Sequence, residues 1–487
     1  MIKQYPVVLV KKLELESKSV LSKNKVVVSL TLLTVMLVSA QLSDIYAPDL
    51  VTPILATKQR SDGDSEKGWD FLRHGNYIGA GIPYDIFKLT VRKNKVKNYL
   101  QREGKSASVP FALNAFEENG VEVVGGINCF GCHSSFINGE FVVGLGGANS
   151  DFTDQGNVKF FRRMHKFVER KYGEKSGQSK AYLPLYRGSE TVIPYLDAPF
   201  VGVNLAFRIE EAAVSYRNPK DLSWAEGEQV FEVPETTFGT DVPPLWNVKK
   251  KNALYYNGMG RGDFTKLLMQ VMVVAIEDST EARAINNRFN DVLAWLENIE
   301  PPKYPEKINQ DLAATGQLIY DENCSKCHGK YGDTEEYPNL LVGTDVVQTD
   351  PYYAKYSYEN EAFTNWLNKS WIMNSTPKAW AQPEMGYVAP PLDGVWATAP
   401  YLHNGSVPDL ETLLHSTARP RYWKREKKPD NNYDLTTVGL VYEEVDKPKN
   451  KWVYNTTLEG YGNGGHTYGD KISAQERRAL IEYLKTL

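Results

Sequence analysis

The pattern of apolar and polar residues predicts a mostly helical chain. Residues 159–172 carry apolar side chains at helical spacing and basic side chains over much of the remaining surface. Residues 284–299 form a cleaner amphipathic pattern, whereas residues 264–277 are apolar nearly all round, as in a buried helix. Met164 belongs to the apolar stripe of the first segment, so we expect it in the core. His165 lies among the charges of that segment, so we expect it at the surface.

The last third of the chain contains two further helix signals. Residues 312–323 predict a short helix that runs directly into Cys324. Ser473 and Glu476 have the spacing of a capping box, and the apolar residues after them form one stripe at helical spacing. Pro301 and Pro302 end the helix predicted before them, so we place the main domain boundary there.

An apolar stretch near the start indicates export. Residues 26–40 (VVVSLTLLTVMLVSA) follow several lysines and end in small residues. The stretch is short for a membrane span and suits the apolar part of a signal peptide cut after Ala40, with an uncleaved membrane anchor as the alternative. Removal of residues 1–40 takes away six lysines and two glutamates and changes the net charge from −4 to about −8. This acidic balance argues against nucleic acid and fits basic redox partners.

Two C-x-x-C-H motifs carry the clearest chemistry in the sequence, CFGCH at 129–133 and CSKCH at 324–328. Two thiols at this spacing can each bond one vinyl group of a porphyrin, and the histidine then gives the iron its proximal nitrogen. A zinc site would need four converging ligands, and a redox dithiol would not need the histidine. The sequence therefore predicts two covalently bound haem c groups, attached through Cys129, Cys132, Cys324 and Cys327 and ligated by His133 and His328.

The second axial ligand of each iron decides what the protein can do. Iron with an open face can bind dioxygen or peroxide, whereas iron with two protein ligands is better suited to passing electrons. For the second haem, spacing favours Met373 or Met385, and His466 competes because the glycines around it allow close approach to a haem face. His403 is a further candidate, although we expect it to fix its own loop by a hydrogen bond.

The first haem has no candidate ligand of equal quality. Met164 is expected in the core, and His74 precedes a glycine in a loop and remains an alternative. An open or labile first iron is therefore the favoured interpretation. The domain plan is a signal peptide or anchor at 1–40, a polar lead-in at 41–65, an N-terminal haem domain with a helical middle region at 66–300, and a C-terminal cytochrome c domain at 301–487.

The segment PPLDGVWATAPYLHNGS at 390–406 resembles the signature of the di-haem cytochrome c peroxidase superfamily. The chain is most similar to the rubber oxygenase branch of that superfamily, through GNY at 75–77 with GIP at 81–83, residues 246–263, and GHTYG at 465–469. The resemblance extends from about residue 66 onward. It implies a mainly α fold of two cytochrome c-like haem domains with long loops, in which the first haem is active and the second relays electrons.

The resemblance also implies roles for particular residues. The second haem would be held by His328 and His466, and Trp246, Tyr255 and Tyr256 would supply the distal aromatic side chains of the first haem. We therefore expect an exported, periplasmic or secreted, haem-dependent oxidoreductase of the rubber-oxygenase type. Its expected partners are dioxygen, an organic substrate that the sequence does not identify, and a small redox protein or other electron donor.

Two alternatives stay open. The first is a di-haem peroxidase that reduces hydrogen peroxide at the first haem, for which a distal acid or base is needed to help break the O–O bond. The second is an electron carrier without enzyme activity, in which both irons have two firmly bound axial ligands. An aromatic distal pocket without a carboxylate would favour the oxygenase over the peroxidase.

Overall fold

A computed structural model describes residues 50–90, 96–153 and 158–487. Helices and short strands alternate through this part of the chain and give it mixed α/β character. The predicted signal segment lies outside the described residues. None of the described helices combines the length and the apolar character that crossing a membrane requires. The two cytochrome c-like domains of the predicted mainly α fold stay a prediction.

The described elements before residue 300 surround the first C-x-x-C-H motif. The helices are α1 (Ser65–His74), α2 (Tyr84–Thr90), α3 (Cys129–Cys132), α4 (Val158–Tyr172), α5 (Gly177–Val192), α6 (Ala206–Val214), α7 (Phe264–Leu268) and α8 (Ser279–Leu296). The strands are β1 (Val51–Pro53), β2 (Gly81–Pro83), β3 (Leu113–Glu118), β4 (Val121–Ile127), β5 (Ser134–Ile137), β6 (Glu140–Val143) and β7 (Gly260–Gly262). Short 3-10 helices span Gly104–Ser108, Ile193–Tyr195, Leu245–Lys250 and Met269–Val274.

The described elements after residue 300 surround the second motif. The helices are α9 (Gln310–Asn323), α10 (Ser325–His328), α11 (Thr344–Val347), α12 (Tyr352–Glu359), α13 (Glu361–Lys369), α14 (Trp371–Asn374), α15 (Leu410–Leu413) and α16 (Ala474–Leu484). The strands are β8 (Leu340–Gly343), β9 (Ala379–Ala381), β10 (Gly386–Val388), β11 (Tyr422–Arg425), β12 (Tyr433–Asp434), β13 (Gly439–Leu440), β14 (Tyr442–Glu444) and β15 (Val453–Asn455). Short 3-10 helices span Val395–Ala397, Ser416–Ala418 and Pro429–Asn431.

Small antiparallel sheets tie distant parts of the chain together. The sheet β2-β4-β3 is local and leads directly into the first motif. By contrast, β1 pairs with β8, with Val51 opposite Val342, and β7 pairs with β9, with Arg261 opposite Trp380. The chain before position 300 is therefore joined to the chain after it by main-chain hydrogen bonds.

The two largest apolar cores each contain residues from both sides of position 300. The first core holds Phe130 together with Phe363, Trp366 and Met373. The second core holds Trp246 together with residues of α9 and α16. The predicted domain division at 300 and 301 stays a prediction, and the packing on either side of it is shared.

The local helix predictions are confirmed in four segments and wrong in one. Residues 159–172 and 312–323 lie in α4 and α9, and α8 covers the predicted segment 284–299 up to Leu296. The helix α16 begins with the predicted capping box of Ser473 and Glu476. The single buried helix expected at 264–277 is wrong, because α7 ends at Leu268 and a 3-10 helix follows. At the end of that segment the Val274 carbonyl packs so closely on Gly188 of α5 that any side chain there would collide.

The last helix crosses the helix that leads into the second motif. Gly316 of α9 lies against the backbone of Ala479 in α16, where an added Cβ would come within 2.0 Å of the Ala479 carbonyl oxygen. A glycine is therefore required for the two helix axes to approach this closely. This crossing fixes the end of α9, and so it also fixes Cys324, which follows directly.

Candidate metal centres

The first motif begins where β4 ends. Asn128 caps the single turn α3, because its side chain accepts a hydrogen bond from the Phe130 amide at 3.0 Å. The same side chain donates to the carbonyl oxygen of Phe111 and to Asn114 Oδ1. Phe130 is fully buried and meets Trp69 of α1 edge to face, at 5.6 Å between ring centroids. The turn that carries the two thiols is thus fixed at both ends by buried contacts.

His133 is held in the orientation of a metal ligand. Its Nδ1 lies 3.1 Å from the carbonyl oxygen of Pro243, and burial lowers the pKa of the imidazole to about 4. A neutral ring that donates from Nδ1 to a carbonyl leaves the Nε2 lone pair free for a metal, as metal-binding histidines usually do. Burial also raises the pKa of the Cys129 thiol to about 12 and that of Cys132 to about 11.

His328 in the second motif is held in the same way. Its Nδ1 lies 2.8 Å from the carbonyl oxygen of Pro390, and burial lowers the pKa of the imidazole. Cys324 follows the last residue of α9, and α10 carries Cys327 and His328. The two motifs therefore share a local turn and a distant proline carbonyl that fixes the histidine.

The two proline carbonyls belong to a short repeat that the sequence interpretation missed. Residues 243–248 read PPLWNV and residues 390–395 read PPLDGV, and in each copy the first proline accepts from a motif histidine. A search for segments shared by the neighbourhoods of both motifs would have found P-P-L-x-x-V. We call these segments the first and second proline supports.

The two proline supports contact one another. The Trp246 indole donates from Nε1 to the carbonyl oxygen of Asp393 at 2.8 Å, and Asn247 donates from Nδ2 to the carbonyl oxygen of Pro391 at 3.0 Å. Gly144 and Gly394 lie against the indole ring, and a Cβ added to either would come within 3.3 Å of it. Gly144 also donates its amide to the His133 carbonyl oxygen at 2.9 Å. The indole of Trp246, a residue of the first proline support, thus packs against the second support.

A cavity of about 220 Å³ opens beside the second motif. Its wall includes Cys324, Cys327, His328 and His466. His466 is fixed by its backbone, because its amide donates to the Val347 carbonyl oxygen at 2.8 Å and its own carbonyl oxygen accepts from the Arg419 guanidinium at 3.0 Å.

The rings of His328 and His466 face one another across this cavity. Their centroids are 6.2 Å apart and their planes are inclined by 65°. A nitrogen ligand lies about 2 Å from its metal and about 1 Å from the centre of its own ring, so a metal between two imidazoles separates the ring centres by about 6 Å. Burial lowers the pKa of His466 to about 3, and its Nδ1 has no hydrogen-bond partner among the described residues. The donor set therefore fits a covalently attached haem with an imidazole on each side.

The two methionines predicted as ligands of the second haem lie elsewhere, and His403 lies in the cavity wall. Met373 is buried in the first apolar core, and Met385 is 38% exposed just before β10. Neither lines the cavity. His403 does line it, but its ring stacks on Tyr387 at 3.9 Å, and it is the backbone carbonyl oxygen of His403 that accepts from the Asp241 amide. The loop-fixing hydrogen bond expected from His403 is thus made by the main chain.

His74, the histidine considered for the first haem, and the residues predicted in α4 have other neighbours. The His74 ring lies 2.9 Å from Asp70 Oδ1 on the surface of α1. His165 stacks on Tyr186 at 4.3 Å, and Met164 is buried in the first core as expected.

The three predicted distal aromatics contact three different groups. The Trp246 indole packs from the first proline support against the second. The Tyr256 hydroxyl approaches Asp241 Oδ2 at 3.4 Å in the cavity of the second motif. The Tyr255 hydroxyl instead donates to Glu210 Oε2 at 3.1 Å and accepts from Gln270 at 3.2 Å.

Glu210 is a site residue that sequence reasoning missed. Burial raises the pKa of its carboxyl group to about 8, and Glu211 next to it raises that pKa further. Glu210 Oε1 and Gln270 Oε1 have no hydrogen-bond partner among the described residues. Only helical spacing in α6 marks Glu210 in the sequence, and that signal does not separate a buried glutamate from an exposed one.

Comparison with known proteins supports a haem assignment for the C-terminal part. Residues 386–424 match the family model described as RoxA-like, cytochrome c-like. This segment includes the second proline support and His403. A cytochrome c-like domain implies haem c and a redox function, and this segment is similar to the cytochrome domain of the RoxA-like family.

The curated relatives come from Sinorhizobium fredii (strain NBRC 101917 / NGR234). "Uncharacterized protein y4iM" is 26% identical over 294 residues, which are 52% of this chain and 66% of the relative. "Uncharacterized protein y4iJ" is 28% identical over 254 residues, which are 39% of this chain and 41% of the relative. The chain thus spans just under two thirds of the first relative and about two fifths of the second.

Proposed function

We propose that the protein is an exported di-haem c-type cytochrome that acts as an oxygenase of the rubber-oxygenase type. In this proposal the site of Cys129, Cys132 and His133 is the active site, and the site of His328 and His466 relays electrons. When bound, haem supplies an iron that exchanges single electrons and binds a small oxidant where an axial position is open.

The observation that carries the proposal is the difference between the two histidine sites. His328 has a second imidazole at the separation that a shared iron requires. His133 has a proline carbonyl on Nδ1, and His74, the histidine considered as its partner, contacts Asp70 instead. A haem held by two imidazoles and a haem held by one would suit a division between electron relay and oxidant binding.

The contact between the proline supports suits electron transfer from one site to the other. Trp246 is 1% exposed and touches segments that are hydrogen-bonded to both motifs. Because each proline support holds its histidine by a carbonyl oxygen, the indole keeps the two sites in a fixed relation. Its part in this proposal is to join the sites, beside the distal role expected from the resemblance.

The substrate, partner and location in this proposal follow from chemistry on the chain. An organic substrate with an alkene or aromatic group would suit the aromatic side chains near the first site. A small redox protein or other donor would supply electrons at the second site, and the apolar stretch at 26–40 would direct export.

A second candidate function, peroxide reduction, is favoured by Glu210. Its carboxyl group is hydrogen-bonded to Tyr255, one of the aromatics expected on the distal side of the first haem. A carboxyl group with a pKa of about 8 is largely protonated at neutral pH and can donate a proton to a leaving oxygen. A distal pocket without a carboxylate would have favoured the oxygenase. Around Tyr255 this condition is not met, because the Glu210 carboxyl group is hydrogen-bonded to it.

Three measurements on the exported full-length protein test these functions. Mass spectrometry should give two added haem groups, and electron paramagnetic resonance should give one high-spin and one low-spin iron. The rate of dioxygen uptake with an unsaturated hydrocarbon should then exceed the rate of peroxide reduction with a reduced donor. Two low-spin irons that react with neither oxidant would contradict both enzyme functions and indicate an electron carrier.

The variant Glu210→Gln separates the two enzyme functions. If peroxide reduction is the function, loss of the acid should lower its kcat/KM by about 10²-fold or more. Dioxygen uptake should change little in the same variant, because Gln keeps the shape of the side chain. Equal activity of Glu210→Gln and wild type toward peroxide would remove the argument for a peroxidase.

A further inference from the structure

Three consecutive lysines follow the first proline support, and their surroundings differ. Lys249 pairs with Glu300, and Lys250 pairs with Asp393 at 2.6 Å. Lys251 instead lines the cavity beside the second motif. Among the described residues, its ammonium group has no ion-pair or hydrogen-bond partner, although Lys249 and Lys250 both have one.

The carboxyl groups in the cavity wall do not neutralise Lys251. Asp393 is paired with Lys250. Asp241 is hydrogen-bonded to Tyr256, and burial raises the pKa of its carboxyl group to about 8, so it is largely uncharged at neutral pH. The wall of the cavity thus presents one ammonium group without a fixed anion.

An unpaired ammonium group that is half-buried in a cavity wall is costly. Burial lowers the pKa of Lys251 to about 8, so the group keeps most of its charge at neutral pH. Transfer of such a charge out of water costs free energy, and this cost is offset only when an anion comes within hydrogen-bond distance. The arrangement therefore indicates that an anionic group enters the cavity in the functional protein.

The lining of the cavity comes from several segments. The residues next to Cys324 and Cys327 contribute to it, together with residues 241–256, 342–349 and 387–414. Among the described lining residues, Lys251 is the only lysine or arginine. In a porphyrin attached through its vinyl groups, the two propionate carboxylates project from the opposite edge of the ring. Lys251 is therefore the fixed cation in this wall that is available to such a carboxylate.

We propose that Lys251 binds a propionate carboxylate of the haem attached to Cys324 and Cys327. The proposal rests on the haem sites of the proposed function and adds an anion-binding residue to the second of them. Lys251 acts as a positioning residue, because it touches the edge of the cofactor and neither the iron nor a substrate. Its positive charge offsets the propionate charge and so makes reduction of that haem easier.

The test uses Lys251→Met in the full-length exported protein, with Lys249→Met as the matched control from the same run of lysines. Potentiometric titration followed by electron paramagnetic resonance reports each iron separately. The midpoint potential of the low-spin iron should fall in Lys251→Met and stay unchanged in Lys249→Met. Lys251→Arg keeps the charge and should restore the potential. Resonance Raman spectra of Lys251→Arg should still show a shifted propionate bending band, because the geometry of the donor differs.

Each other outcome has a definite meaning. A shift confined to the high-spin iron would overturn the proposal and assign Lys251 to the first haem. An unchanged potential in Lys251→Met would overturn it outright. Because the thioether bonds are covalent, loss of Lys251 should leave the haem count at two. A wild-type protein with fewer than two haem groups would instead refute the proposed function. If Lys251→Met does not fold, an unshifted Raman band in Lys251→Arg suffices to overturn the proposal.

Discussion

The rings of His328 and His466 face each other at 6.2 Å between centroids, 138 positions apart in the sequence. One ring is fixed by the Pro390 carbonyl oxygen and the other by hydrogen bonds of its own backbone. The separation matches two imidazoles that share one metal. Their positions come from separate parts of the chain, so each can be changed without moving the other.

Replacement of His466 should therefore change the second iron alone. His466→Ala should convert the low-spin signal to high spin or to a newly ligated form, with the haem count unchanged. His74→Ala, which removes a ring bonded to Asp70 at the surface, is the control and should leave both signals as they are. Visible and electron paramagnetic resonance spectra make the comparison. An unchanged low-spin signal in His466→Ala would show that another residue is the ligand.

The Trp246 indole should contribute to stability through one hydrogen bond. Trp246→Phe keeps an aromatic ring between the proline supports and removes the donor to the Asp393 carbonyl oxygen. Leaving that buried carbonyl without its donor should cost about 1–3 kcal/mol in the free energy of unfolding. Trp380→Phe, at a position 39% exposed, should change it by less than about 0.5 kcal/mol. Urea titrations of both variants measure these changes. Equal changes in the free energy of unfolding would contradict the role given to Trp246.

Gly394 should tolerate no side chain. Its φ is +62°, and an added Cβ would come within 2.4 Å of Pro301 Cβ and 3.3 Å of the Trp246 ring. Gly104 has a φ of +56° with nothing within 4 Å of an added Cβ, so it carries the same backbone strain without the collision. Gly104→Ala should cost about 1 kcal/mol, and Gly394→Ala should cost about 1–3 kcal/mol more. Similar melting temperatures for the two variants would disprove the close packing of the supports.

Glu210 should make stability depend on pH in a definite direction. Its pKa is raised from 4.5 to about 8 by burial, so between these values the folded protein keeps a proton that the unfolded chain has lost. The free energy of unfolding should therefore fall as pH rises from about 4.5 to about 8, by linkage. Glu210→Gln removes the group and should flatten this part of the curve. Urea titrations of both proteins at intervals across this range make the test, and parallel curves would exclude Glu210 as the source.

Local sequence patterns predict the elements that depend only on nearby residues. The spacing of apolar residues gives α4, α8 and α9, and the capping box gives the start of α16. The chemistry of both C-x-x-C-H motifs is equally local. The segment 264–277 fails because side chains that are apolar all round favour no single face, and close packing of Val274 on Gly188 ends the regular helix.

Local sequence patterns do not predict contacts between residues that are far apart in the sequence. The carbonyl oxygen that fixes His133 lies 110 residues away, and only the repeated P-P-L-x-x-V segment marks its position in the sequence. The adjacent Tyr255 and Tyr256 were expected to share one pocket, but they hydrogen-bond to different carboxyl groups, Glu210 and Asp241. Tyr255 has a φ of +67°, which turns the backbone between the two side chains. Two residues that are adjacent in the sequence therefore need not place their side chains in the same pocket.

The shared packing of the two cores has a consequence for how the protein is made. Phe130, beside the first motif, is buried against a cluster that includes Phe363, Trp366 and Met373, which leave the ribosome more than 200 residues later. The residues around the first motif cannot complete their apolar core until these later residues have been synthesised. The packing around Cys129, which lies against this core, should therefore be completed only after those later residues have been synthesised.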